Sequence, residues 1–247
     1  MNNETMIFGI RPVMEAIRSG REPDRVLIQK NLRGSNFREL FSLLRKLEIP
    51  YQFVPVEKLN RTTRQKHQGV IAWVTGITYQ KIEDILPGIF EQGRLPMVLI
   101  LDGITDVRNL GAIARTAECA GVDAIIVPTQ GSAQINPEGV KASAGALYRI
   151  PVCRVPDLKA SVQFLKHCGL HIFAATGDGP VDYLNTNLVR PLGLILGSEG
   201  QGVSGEILNL SDSRVKIPLS GGITSLNVSV AAGILLFEVV RQRKQSG

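Results

Sequence analysis

Three features of the 247-residue sequence predict an α/β fold: apolar runs of strand length, amphipathic stretches between them, and polar, glycine-bearing loops where a run gives way to a helix. In the first third, residues 8–17 (FGIRPVMEAI) read as a short amphipathic helix and 25–29 (RVLIQ) as a buried strand. Residues 36–48 place Phe37, Leu40, Phe41, Leu44 and Leu47 at helical spacing, and Pro50 ends that helix. Residues 51–54 (YQFV) and 70–74 (VIAWV) complete a small α/β unit over 1–77. Residues 78–95, with Pro87, Gly88 and Gly93, read as a linker holding one short helix.

From residue 96 the pattern changes. Runs at 97–101 (MVLIL), 124–127 (AIIV), 172–175 (IFAA), 192–196 (LGLIL) and 215–218 (VKIP), with a further candidate at 149–154, are apolar without alternation. Such strands are covered on both faces, which requires a parallel sheet with crossover helices. The helices are expected to begin near Leu110, Pro137, Leu158, Gly205 and Leu226, giving a second domain over 96–247.

Composition narrows the function classes. With 44% hydrophobic and 20% charged residues the chain is neither disordered nor fibrous. No apolar stretch reaches the roughly 18 residues that span a bilayer, and the polar start MNNETM lacks a signal-peptide core. Three cysteines without a C-x-x-C, and three histidines without ligand spacing, argue against a disulfide framework and a structural metal. The expectation is a cytoplasmic chain in a reducing compartment, with no membrane partner. Charge is unevenly placed: residues 1–78 hold 13 Lys+Arg against 7 Asp+Glu, and residues 79–247 hold 15 against 15. The whole excess of six lies in the first third, as in a polyanion-binding module or a merely solubilising surface. Arg11, Arg33, Arg61, Arg64, Lys66 and the polar run 60–68 are the candidate polyanion contacts.

In open α/β sheets ligands bind beyond the carboxyl ends of the strands, and three loops there carry the chemistry. The first, 102–116 (DGITDVRNLGAIART), presents Asn109 and Arg115, which by themselves read more readily as a helix cap and a solvated helix residue than as functional groups. The second, 196–205 (LGSEGQGVSG), contains a literal G-x-G-x-x-G at Gly200, Gly202 and Gly205. No acidic residue follows about 20 positions later, which weakens a dinucleotide-binding reading, and the turn instead presents Glu199. The third, 217–232 (IPLSGGITSLNVSVAA), pairs Gly221-Gly222, free to take positive φ, with a helix start at Ser225-Leu226-Asn227 and small residues after it.

In this order and at these strand ends, the loops resemble motifs 1, 2 and 3 of the SpoU family of RNA ribose 2′-O-methyltransferases. Asn109-Leu110-Gly111-Ala112 with Arg115 matches motif 1, and Leu196 to Gly200 (LGSEG) matches motif 2. Ile217-Pro218-Leu219 followed by Ser225-Leu226-Asn227-Val228-Ser229 matches motif 3. The first third is similar to the substrate-binding domain of the RlmB and TrmH group, and HQGV at 67–70 and FEVVRQR at 237–243 look like that group too. Val107-Arg108 departs from it, since many members carry a proline there.

The resemblance implies a catalytic SPOUT domain with a C-terminal trefoil knot and methyl transfer from S-adenosylmethionine to a ribose 2′-hydroxyl, without metal. It assigns the cofactor to Thr176, Gly177, Gly197, Ile217 and Leu226, and activation of the hydroxyl to Arg115, assisted by Asn109, Glu199, Ser225 and Asn227. An arginine stays protonated below a pKa of about 12, so stabilising the developing alkoxide or pairing with a phosphate suits Arg115 better than accepting a proton. The resemblance further implies a guanosine of 23S ribosomal RNA as substrate, with transfer RNA as the alternative. A homodimer through the catalytic domain is also implied, its last helix being apolar on more than one side. A non-catalytic RNA-binding module and a nucleotide-dependent oxidoreductase are the competing classes.

Overall fold

A computed structural model describes residues 5–19, 21, 23–74 and 76–246. The chain divides into two compact units, 1–78 with 134–137, and 79–133 with 138–247. In the first, β1 (Thr5–Phe8), α1 (Ile10–Arg18), β2 (Arg25–Gln29), α2 (Ser35–Lys46), β3 (Tyr51–Val54), α3 (Val56–Thr62) and β4 (Val70–Val74) build a four-stranded sheet of order β1-β4-β2-β3. Its β2–β3 pair is parallel and its other pairs are antiparallel. Alternate residues of each strand serve opposite faces. Val26, Ile28, Val70 and Ala72 pack with Val13, Ile17, Leu40 and Leu44 of the two long helices, whereas Leu27, Ile71 and Val54 pack with Leu59 of α3.

The second unit contains α4 (Ile82–Glu91), β5 (Met97–Asp102), α5 (Val107–Ala120), β6 (Ala124–Pro128), all but the first residue of α6 (Pro137–Ala142), β7 (Val152–Val155) and α7 (Leu158–His167). It continues with β8 (His171–Ala175), β9 (Val181–Asp182), β10 (Leu192–Gly197), α8 (Gly205–Leu208), β11 (Ser213–Lys216) and α9 (Val228–Gln245). Seven strands form one sheet of order β7-β6-β5-β10-β8-β11-β9, every pair parallel. Val98, Ile100, Ile126, Ile172 and Ile195 are almost fully buried, as unalternating runs require.

Several expectations change. The segment 78–95 is more than a connector: Tyr79 bridges to Val152, and Ile82, Leu86 and Ile89 of α4 lie in the second unit's core. Composition concealed this because Pro87 and Gly88 sit inside the helix that carries those residues. The strands β1 and β9 and the helix α3 were not expected. Four residues, two residues, and a helix with Leu59 as its one buried side chain are too short to display a period. The strand expected at 215–218 is Ser213–Lys216, and α5 begins at Val107 instead of Leu110 because Asp106 caps it, its Oδ1 accepting from the Arg108 N–H at 2.8 Å. Helix α9 begins at Val228 behind Asn227. Neither Gly221 nor Gly222 takes positive φ, so that freedom is unused. Among the described residues no helix is long and apolar enough to cross a membrane.

Candidate functional site

Three neighbouring strands, β10, β8 and β11, end on the same side of the second unit's sheet. The loops that leave them enclose a cavity of about 930 Å3. That is within the roughly 300–1,000 Å3 typical of small-molecule sites. Thr176, Gly177, Gly197, Ile217 and Leu226, the five positions expected to hold a cofactor, all line it, together with Glu199, Ser225 and Asn227.

The β10 loop is folded back on its own strand. Ser198 and Gly202 exchange two backbone hydrogen bonds, each 3.0 Å, and the turn between them is closed by Gly200 at φ 95° and Gly202 at φ 70°. The return brings backbone against Gly197, where a Cβ would stand 2.0 Å from the Gly202 carbonyl carbon and 2.2 Å from the Val203 nitrogen. Glycine is therefore required there by the loop itself. The Asp102 carboxylate at the end of β5 fixes the far side of the turn, accepting from the Ser204 N–H at 2.7 Å. The G-x-G-x-x-G is thus a tight turn ahead of α8, a helix of four residues, and the long dinucleotide-binding helix is absent from this loop.

Polar groups from three loops converge beside the cavity. Glu199 Oε1 accepts from Asn227 Nδ2 at 2.6 Å, from Asn109 Nδ2 at 3.1 Å and from the Val228 N–H at 3.5 Å. Asn227 Nδ2 also donates to Asn109 Oδ1 at 3.1 Å, while Asn227 Oδ1 caps α9 by accepting from the Ser229 N–H at 2.9 Å. Each of the three side chains thus holds the other two. The carboxylate also lies at the N-terminal end of an 18-residue helix, where the helix dipole favours negative charge. Asn109 lies within the first turn of α5, and the geometry sets aside its reading as that helix's cap. No hydrogen bond engages Glu199 Oε2 or Ser225 among the described residues.

Arg115 stands apart from this cluster. It is exposed on α5, does not line the cavity, and makes no hydrogen bond or ion pair among the described residues. Its neighbour Arg108 is engaged with Asp106 and Glu138, and the Arg108 hydrogen bonds hold the Asp106 carboxyl below its ordinary range. The one free guanidinium among the α5 residues is therefore the one the motif singles out.

The composition of the cavity wall limits the ligands that suit it. It carries two carboxylates, Asp178 and Glu199, and no Lys, Arg or His. A polyphosphate would meet no counter-charge there, whereas a cationic ligand would. Ile217, Leu219 and Leu226 supply apolar surface for a planar base. Thr176 Oγ1, on the same wall, is buried without a hydrogen-bond partner among the described residues, and its own backbone N–H is already committed to the Val215 carbonyl at 2.9 Å. A buried hydroxyl left unpaired costs free energy unless a ligand satisfies it. Asp102 and Asp178 were missed by sequence reasoning. The acid closing MVLILD and the TGDG after β8 were the signals, each an Asp at a strand's carboxyl end.

In the first unit, Arg11, Arg33, Arg61, Arg64 and Lys66 are all exposed. His67 organises the 60–68 run: the Gly69 N–H donates to its Nδ1 at 3.0 Å, leaving Nε2 to donate to Asn60 Oδ1 at 2.9 Å.

Comparison with known proteins gives concordant results for the two units. The sequence model of the SpoU rRNA Methylase family matches residues 96–237, and that of RNA 2′-O ribose methyltransferase substrate binding matches residues 6–80. A protein of Staphylococcus saprophyticus bearing the name of a TrmH family tRNA/rRNA methyltransferase is 37% identical over 244 residues, covering 99% of this chain and 98% of its own. Among solved structures, the SpoU methyltransferase AviRb from Streptomyces viridochromogenes, in complex with AdoMet, aligns with a TM-score of 0.62 at 26% identity over 99% of this chain and 92% of its own. An AdoMet-bound rRNA methyltransferase from Sinorhizobium meliloti aligns with a TM-score of 0.60 at 25% identity, over 97% of this chain and 87% of its own.

Proposed function

Because this chain belongs to the SpoU rRNA methylase family, and so is an RNA ribose 2′-O-methyltransferase of the TrmH/SpoU type, we propose that it methylates a guanosine 2′-hydroxyl of 23S ribosomal RNA with S-adenosylmethionine. The cavity's charge carries the cofactor reading. A sulfonium and an ammonium suit a wall with two carboxylates and no cation, and the apolar surface of Ile217, Leu219 and Leu226 suits an adenine. Thr176, Gly177, Gly197, Ile217 and Leu226 would hold the cofactor, Thr176 Oγ1 gaining the partner it lacks. When bound, S-adenosylmethionine supplies an electrophilic methyl group.

The chain's residues then have to place one hydroxyl and remove its proton. Asn109 and Asn227, locked to each other through Glu199, form a rigid polar wall against which a ribose can be oriented at little entropic cost. Arg115, charged and unpaired, pairs with the phosphate of the target nucleotide and stabilises negative charge growing on the 2′-oxygen. Glu199 Oε2 is the free carboxylate oxygen of the cluster and takes the proton, while Oε1 stays tied to the two amides.

The substrate reading is supported by the first unit, which matches a substrate-binding model and carries the basic excess, and by the nearly full-length likeness to the rRNA methyltransferase of Sinorhizobium meliloti. Transfer RNA is the second reading, favoured by the double name of the Staphylococcus relative. A homodimer through α9 completes the proposal: Val230 and Phe237, seven residues apart on one helical face, are 51% and 49% exposed. Light scattering should then give about twice 26.9 kDa. The decisive experiment incubates the protein with methyl-labelled S-adenosylmethionine and fractionated cellular RNA, then maps the label. A 2′-O-methylguanosine in 23S RNA is the expected result. Label on transfer RNA alone would select the second reading, and label on a base would overturn both.

A further inference from the structure

The first unit exposes aromatic rings where a soluble sheet normally hides them. Tyr51 and Phe53 lie on β3, an edge strand, two residues apart and so on one face. They are 36% and 41% exposed. Phe37 and Phe41, four residues apart on α2, stand behind them. The Phe41 ring lies 5.2 Å from Tyr51, 6.0 Å from Phe53 and 5.7 Å from Phe37, and Tyr51 and Phe53 meet edge to face at 5.8 Å. Phe37 and Phe41 pack against the core, but Tyr51 and Phe53 lie outside it. The inner pair thus fixes the outer pair, whose ring surface stays open to solvent.

Charge indicates what this surface meets. Arg38 and Arg45, three residues before and four after Phe41, are its neighbours on the helix surface. Both are exposed, and neither makes an ion pair or a side-chain hydrogen bond among the described residues. The one acid of α2, Glu39, is already paired with Arg18. The free cations beside the rings belong to a unit with an excess of six positive charges. A second copy of such a unit would be repelled, and an apolar protein partner would leave both arginines without a counter-charge. Nucleobases with their phosphates satisfy rings and cations together.

We propose that Tyr51 and Phe53 form a stacking platform for one or two unpaired bases of the substrate RNA, with Arg38 and Arg45 on the flanking phosphates. This rests on the reading of the first unit as RNA-binding and adds to it a preference for a single-stranded loop over a duplex, because stacking needs bases free of their helix.

The test uses the full chain and two labelled probes, an RNA hairpin with an unpaired loop and a blunt duplex of equal charge. Phe53→Leu and Tyr51→Leu, which keep apolar volume but remove the ring, should each weaken hairpin binding roughly tenfold. Duplex binding should be nearly unchanged, as should the slope of log Kd against log salt. Phe53→Trp should restore hairpin binding, whereas Arg38→Gln with Arg45→Gln should lower that slope by about 1.4. The far-ultraviolet circular dichroism and melting temperature of each variant check that the first unit is folded. The proposal is overturned if the leucine variants bind the hairpin as the parent does, if they lose duplex binding equally, or if they change the molecular mass in solution, which would assign the rings to contact between copies. Failure of the parent protein to methylate any RNA would remove the proposed function, yet the hairpin measurement would still decide the role of the rings.

Discussion

Residues 1–78 carry an excess of six positive charges and residues 79–247 carry none, and the two regions also differ in how they present their polar groups. In the first, Arg61, Arg64 and Lys66 reach into solvent with no partner among the described residues. In the second, Asn109, Glu199 and Asn227 are spent on one another. Exposed charges attract a polyanion from a distance and are weakened by salt, whereas a bonded cluster acts at contact and depends on position. Affinity and chemistry therefore obey different physics in one chain, and should be separable. Arg115 joins the two, a free cation of the first region's kind on the helix that carries Asn109.

The sharpest break in that contrast is expected at Arg115. Arg115→Ala should lower kcat by about 10²–10³ in single-turnover methylation while leaving the Kd for S-adenosylmethionine unchanged, because the side chain does not line the cavity. Equal loss of cofactor binding would mean the variant had disturbed the fold of α5. Next, Gly197→Ala should act in the opposite sense. The added methyl must displace backbone at 2.0 Å, and overpacking of this kind costs about 1–3 kcal/mol. Calorimetric titration should accordingly show cofactor binding weakened roughly tenfold with RNA affinity kept.

A third substitution sharpens the comparison from the other side. Replacing Arg61, Arg64 and Lys66 together by Gln should reduce the slope of log Kd for single-stranded RNA against log salt by about 2, with cofactor binding intact. The smallest effect is expected at Glu238. Its carboxyl is held below the ordinary range chiefly by hydrogen bonds from Arg241, against the opposing effect of burial, with help from Gln242. A depressed folded-state pKa gives stability that is present above the unfolded value of about 4.3 and is lost as pH falls through the folded value. The melting temperature of Glu238→Gln should therefore depend less on pH in that acid range than the parent's, and parallel curves would refute the assignment.

What the sequence revealed and what it hid follow from the same contrast. The central strands of the second sheet were legible because covering both faces demands unbroken apolar runs, as at Val98 to Leu101 and Leu192 to Leu196. Helix α4 was recognised only as a short helix in a linker, because its core residues Ile82, Leu86 and Ile89 surround a proline and a glycine. The site residues were named through a motif resemblance, and periodicity alone supplied none of their roles. Asn109 and Asn227 are 118 residues apart, and no local pattern encodes a bond of that span. The expected threading of the C-terminal region is equally invisible to a hydrophobic period. The ending FEVVRQR was noted as a likeness, and the structure supplies a physical reason for part of it. Arg243 donates to the carbonyls of Leu95, Pro96 and Arg190, at 2.7, 3.1 and 2.8 Å, tying α9 to the segments that lead into β5 and β10.

The span between Asn109 and Asn227 also sets a schedule. A ribosome adding roughly 5–20 residues per second takes on the order of ten seconds to pass from one to the other. Until residue 227 is made, Asn109 lacks its full set of partners and Glu199 lacks the amide that donates to it at 2.6 Å. The exposed basic side chains from Arg11 to Lys66 are all made before any of this. On the proposed reading of the basic side chains as RNA contacts, a nascent chain would meet RNA before it is able to modify it. Competence arrives late, when the segment around residue 227 closes the cluster, so a chain interrupted upstream would lack the bonded triad altogether.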